Sequence, residues 1–241
     1  MTHTPILTPP ITIAIDGLAA SGKGTLARNL AVTLNLAHMD TGSLYRLTGW
    51  RILERGEDPS DEAAAVAAAR ELAQNYTPDM SDIADIRSDE AGQAASKSSI
   101  FPGVRQALYD LQITFASNPH TDKNGAVLDG RDIGTVICPN ANVKLFVTAT
   151  TEVRAERRYK ELQSRGKSVR YEAILADMHE RDARDTGRAL AATRPAEDAV
   201  TLNTDNLSAD DALQEALKAI TGKRPDVTTI LPEKFIRKET F

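Results

Sequence analysis

The sequence predicts an α/β fold, a five-stranded parallel sheet with helices on both faces. Three observations predict it: short apolar runs alternate with helical apolar patterns, a glycine-rich loop joins the first strand to the first helix, and three strands end on aspartate. The 241 residues, 41% hydrophobic and 26% charged, suit one such core with small insertions.

Residues 11–15 form the first apolar, β-branched run, which stops at Asp16-Gly17, and Leu26, Leu30 and Leu34 then mark one face of a helix. Residues 36–39 give a second strand ending at Asp40-Thr41-Gly42; Leu44, Leu47, Trp50, Ile52 and Leu53 continue helically to Gly56. A third strand, 126–128, ends at Asp129-Gly130, and a fourth, 143–148, precedes an arginine-rich helix over about 151–165. Residues 199–202 and a helix over 208–220 complete the alternation. In such sheets ligands sit beyond the carboxyl ends of the strands, where Asp16, Asp40 and Asp129 fall.

Residues 57–102 break the pattern, turning alanine-rich (63–69) and then acidic (Asp79, Asp82, Asp85, Asp89, Glu90); they read as a small helical insertion. The core is then 1–56 plus 103–221, with 222–241 as a C-terminal extension, either docked or disordered.

A net charge of −5 offers no broad basic surface for nucleic acid, and a lone cysteine, Cys138, excludes an intrachain disulfide. The four histidines are too scattered to suggest zinc. No apolar run matches a bilayer span, and the first ten residues lack the features of a secretory signal. A soluble, cytoplasmic monomer without nucleic-acid or membrane partners is therefore expected.

Gly17-Leu18-Ala19-Ala20-Ser21-Gly22-Lys23-Gly24-Thr25 sets two glycines five apart, followed by Lys-Gly-Thr, between a strand and a helix. A triphosphate needs backbone N–H groups pointing inward, glycines where a side chain would block its approach, and the positive end of a helix dipole. Lys23 would neutralise β- and γ-phosphate oxygens, and the Thr25 hydroxyl is the candidate magnesium ligand. Alone, the loop says only that a nucleotide binds.

Arginines would hold an acceptor that itself carries phosphate, since a guanidinium binds phosphate in a fork and stays charged. Arg46 follows the second strand, Arg131 the third, and Arg181, Asp185 and Arg188 share one helical face. Spacing alone equally fits a solvated helix with intrahelical ion pairs for Arg181, Asp182, Arg184 and Asp185. Asp129 has two readings, a water-mediated magnesium ligand or a cap for the following helix. Arg154, Arg157 and Arg158 lie on a helix that is either a lid, at about 151–170, closing positive charge over a transferring phosphoryl group, or an ordinary exposed helix. Cys138 reads as a small buried residue, because phosphoryl transfer requires no covalent nucleophile.

Five blocks in order carry a resemblance: Gly17 to Thr25; Asp40-Thr41-Gly42-Ser43-Leu44-Tyr45-Arg46; Ala94-Ala95-Ser96 with Phe101-Pro102-Gly103-Val104-Arg105; Asp129-Gly130-Arg131-Asp132-Ile133-Gly134-Thr135-Val136; and Arg181 to Arg188. Over about 11–220 the chain resembles the bacterial cytidylate kinases, of the P-loop nucleoside monophosphate kinase family. The resemblance implies a P-loop kinase core that transfers the γ-phosphoryl group of ATP, with Mg2+, to CMP or dCMP. A related kinase acting on UMP or AMP is the alternative.

By position in the matching motifs, the resemblance implies that Arg46, Arg131 and Arg188 hold the acceptor phosphate and that Thr41 and Tyr45 line its pocket. Ser96, Arg105 and Asp132 would read cytosine, and Arg181 and Asp185 would meet the sugar hydroxyls. Arg157 and Arg158 join residues 17–25 on the donor side, and Lys23, Asp129, Arg131 and Arg188 would carry the catalysis. The family's monophosphate-binding insertion usually carries a small sheet, for which residues 75–88 are too short and polar.

Overall fold

A computed structural model describes residues 7–118, 122–187 and 193–236. In chain order its elements are β1 (Ile11–Asp16), α1 (Lys23–Leu34), β2 (Ala37–Asp40), α2 (Thr41–Glu54), α3 (Glu62–Asn75), α4 (Asp89–Ser98), α5 (Pro102–Ser117), β3 (Gly125–Gly130), β4 (Val143–Thr148), α6 (Thr151–Ser164), α7 (Tyr171–Thr186), β5 (Val200–Asn203), α8 (Ala209–Lys223) and α9 (Glu233–Ile236). All five expected strands form.

The sheet order is β2-β3-β1-β4-β5, with β1 parallel to β3 and β4, and β4 parallel to β5. Central strands are apolar on both faces because helices cover both: Ile11, Ile13, Ala14 and Ile15 are all fully buried. Leu26, Leu30 and Leu34 of α1 and Leu213, Leu217 and Ile220 of α8 complete the main core. Register matters for function, since Asp16 stands opposite Gly130. The loops that begin at Gly17 and Arg131 therefore leave the sheet side by side.

The extension after residue 222 is docked through its described part. Val227 and Ile230, on a 3-10 turn over Pro225–Ile230, are buried in the main core, and Arg224 donates to the Pro9 carbonyl.

The chain divides into two compact units, and the smaller takes in Asp40–Phe115, wider than the expected 57–102 insertion. The reason is that α2 packs against α3 and α4. Asp40, Asp61 and Ser88 cap α2, α3 and α4, each accepting a backbone N–H of the first turn. The alanine-rich stretch is the buried face of α3, Ala65, Ala68, Ala69 and Leu72. Residues 78–87 hold two 3-10 turns, so this part is helical, as its sequence suggested.

Within the larger unit, α6 and α7 share a small core of Ala155, Leu162, Ile174 and Met178, beside an edge-on Tyr159–Tyr171 pair 6.2 Å apart. The arginine-rich helix is thus a packed element rather than an ordinary exposed one.

Candidate active site

The phosphate loop fills the turn between β1 and α1. A side-chain carbon at Gly17 would lie 2.2 Å from the Val147 carbonyl oxygen, so only glycine lets the chain leave the sheet there. Ala20 and Gly22 take left-handed conformations (φ 58° and 93°) on either side of Ser21, the kind of backbone alternation that forms anion-binding concavities. No side chain caps α1, leaving its first-turn N–H groups to a ligand. Lys23 folds back over the loop, its Nζ donating to the Leu18 carbonyl at 3.4 Å.

Asp129, the penultimate residue of β3, is almost fully buried. Its Oδ2 lies against Gly24 and 3.7 Å from His38 Nε2, and the next residue, Thr25, stands at the surface on the first turn of α1. A carboxylate and a hydroxyl are hard oxygen donors of the kind magnesium takes, so these residues fit that ion. The carboxylate of Asp16 accepts the N–H groups of Ile133 and Gly134 at 2.7 and 2.8 Å. Those bonds open the π turn Ile133–Ile137, directly after Arg131 and Asp132. Burial pushes the Asp16 carboxyl up to about 6, against the pull of the two N–H groups and of Lys23, with Asp132 adding repulsion.

Arg131 joins two parts of the site. Its Nε donates to Asp185 Oδ2 of α7 at 2.9 Å and its Nη1 to the Gly17 carbonyl at 3.1 Å. Arg181 Nε stands 3.9 Å from the same Asp185 oxygen. Asp185 is 4% exposed, so the solvated-helix reading fails for Asp185, while Arg181 is 25% exposed and pairs with it within the helix. Arg188 lies outside the described residues.

Arg157 reaches the loop from α6. Its guanidinium donates to the Thr204 carbonyl at 2.5 Å, to Thr204 Oγ1 at 3.0 Å and to the Ser21 carbonyl at 3.4 Å. Arg158 donates to Glu161 at 2.9 Å. Arg154, grouped with them by sequence, is 2% exposed and belongs to the interior.

The smaller unit gathers the remaining candidates. Thr41 is buried at the start of α2 and Ser96 is buried on α4. The Arg105 guanidinium lies 5.5 Å from the centre of the Tyr45 ring. Arg46 donates to the carbonyls of Ile86 and Ser88 at 3.0 and 3.2 Å, and a side chain on Gly92 would press on its guanidinium.

Sequence reasoning missed the pairing of Arg154 with Asp182, the hub at Thr204, and the role of Asp16. Cys138 is half-buried rather than buried, and desolvation with nearby Asp16 pushes its thiol up to about 11.

Residues 13–222 match the cytidylate kinase family. The chain belongs to that family. A cytidylate kinase of Paramagnetospirillum magneticum is 56% identical over 212 residues, 88% of this chain and 98% of that one. Those of Rhodospirillum rubrum and Methylocella silvestris are each 53% identical, covering 88% and 85% of this chain and 97% and 91% of theirs. Because the family match ends at residue 222, the docked segment with Val227 and Ile230 lies beyond it.

Proposed function

We propose that this member of the cytidylate kinase family transfers the γ-phosphoryl group of ATP to CMP or dCMP, giving ADP and CDP or dCDP. One geometric observation carries the reading: Arg131 holds both the first carbonyl of the phosphate loop and Asp185 of α7, so donor and acceptor chemistry meet on one side chain.

In this reading the loop from Gly17 to Thr25 cradles the donor phosphates on backbone N–H groups, and Lys23 swings from the Leu18 carbonyl to neutralise them. Thr25 and Asp129 would hold Mg2+, which when bound spreads the negative charge of the triphosphate. A phosphate oxygen of the nucleotide acceptor forms the new bond to the γ-phosphorus while the bond to the β-phosphate oxygen breaks. The acceptor needs no general base, because its phosphate is already anionic. The Cys138 thiol, held at about 11, stays protonated and takes no part.

The protein's work is electrostatic placement. Arg46, Arg131 and Arg188 are assigned to the acceptor phosphate, with Thr41 and Tyr45 along its pocket. Arg181 and Asp185 take the sugar hydroxyls. Ser96, Arg105 and Asp132 take the cytosine edge, which offers an amino donor beside carbonyl and ring-nitrogen acceptors. Arg157 and Arg158 add positive charge on the donor side.

A coupled ADP-release assay with MgATP and CMP, dCMP, UMP, AMP or GMP tests the reading. Preference for CMP and dCMP is expected; equal rates for all five contradict it.

A further inference from the structure

We propose that Arg154 and Asp182 are a positioning pair that holds the tip of the phosphate loop and helix α7 in one geometry, an inference that rests on the proposed reaction. Arg154 Nε donates to the Ala149 carbonyl at 3.0 Å, and Nη1 donates to Asp182 Oδ1 at 3.0 Å and to the Ala19 carbonyl at 3.3 Å. Nη2 donates to Thr151 Oγ1 at 2.9 Å and to Asp182 Oδ2 at 2.5 Å. All five guanidinium N–H groups therefore have acceptors within the fold. At 2% exposure, with Asp182 at 15%, the pair is screened from water. Turning Arg154 toward a phosphate would strand a largely buried carboxylate, so it cannot serve as a lid arginine.

Its partners say what it does instead. Ala19 precedes Ala20, whose left-handed conformation bends the loop around the phosphate concavity. Asp182 lies beside Arg181 and three residues before Asp185, the two groups assigned to the acceptor sugar. Helix α7 is thus tied to the loop twice, one helical turn apart: Asp182 through Arg154 to Ala19, and Asp185 through Arg131 to Gly17. The second tie uses groups assigned to substrate. The first uses no side chain assigned to substrate, and its effect is to make the donor loop and the acceptor-reading helix move together. Binding at one then favours the geometry that binds at the other.

The test is calorimetric titration of CMP with and without a magnesium-loaded, non-hydrolysable ATP analogue, on the wild type and on Asp182→Asn. Asparagine keeps the volume and one acceptor oxygen, and circular dichroism checks the fold. The analogue should tighten CMP binding by about fivefold or more in the wild type, the lower end of usual coupling. In Asp182→Asn the ratio should fall close to one, and kcat should drop by about tenfold as reacting groups lose alignment. If Asp182→Asn melts, Arg154→Lys, which keeps the charge without the fork, carries the same readout. A folded variant that keeps the wild-type ratio overturns the proposal, as does a wild-type ratio of one. Absence of CMP phosphorylation by the wild type would instead reject the reaction itself.

Discussion

Replacing Asp16 with asparagine tests how the loop carrying Arg131 and Asp132 is held. The wild-type carboxylate accepts two backbone N–H groups, at 2.7 and 2.8 Å, while buried at the end of β1. Two effects oppose each other there. The N–H groups favour the anion and burial disfavours it; burial prevails, and the carboxyl rises from 3.8 to about 6. At 1.36 kcal/mol per pKa unit the difference amounts to about 3 kcal/mol. A carboxyl raised on folding holds its proton more tightly in the folded state. Its contribution to stability is therefore fully present below pH 3.8 and is lost as pH rises through 6. Between pH 4 and pH 7, about 2 kcal/mol of it should disappear. Asparagine does not titrate, so subtracting the variant's stability from the wild type's cancels the other carboxyls. Urea denaturation of both proteins across that range should show the difference falling by about 2 kcal/mol. A difference that stays flat or rises with pH would mean that the two N–H bonds outweigh burial, refuting the reasoning.

Three further outcomes are expected. Lys23→Met should lower kcat by about a hundredfold or more with the thermal midpoint little changed, since the charge acts on the reacting phosphates; steady-state kinetics beside a melting curve checks both. Asp132→Ala should raise the KM for CMP more than the KM for ATP, and equal losses for the two substrates would remove Asp132 from the base-reading set. Ile230→Ala should cost about 2–4 kcal/mol in chemical denaturation, as a buried large-to-small change does, while kcat with CMP stays at the wild-type value.

Much of this was legible in the sequence because the signals are local. Buried parallel strands need short, mostly apolar runs, and each run named its strand to within a few residues. The start of α2 was less clear: its apolar pattern begins at Leu44, yet the helix begins at Thr41, because Asp40 caps it. The phosphate loop could be read because its backbone geometry demands glycine. Arg154 could not, since its spacing to Arg157 and Arg158 matches a solvated cluster, and only Asp182 on another helix makes it an interior group. Likewise Asp16 and Asp129 look alike as residues at strand ends. Register decides between them, placing Asp16 opposite Gly130 and within reach of the N–H groups that follow. In the extension, Val227 and Ile230 are only an apolar pair three apart, and their burial depends on α8 and the main core they join.

The central claim is that the chain selects a cytidine monophosphate as phosphoryl acceptor. A single competition measures it: wild-type protein with limiting MgATP and equimolar CMP, UMP, AMP and GMP, the nucleoside diphosphates other than ADP being resolved by ion-exchange chromatography and ADP formed from AMP being measured with labelled AMP. The account predicts CDP as the dominant product, in excess of each rival by about tenfold or more, as befits a site built to hydrogen-bond one base edge. Comparable yields of CDP and UDP, or a dominant purine product, would contradict it.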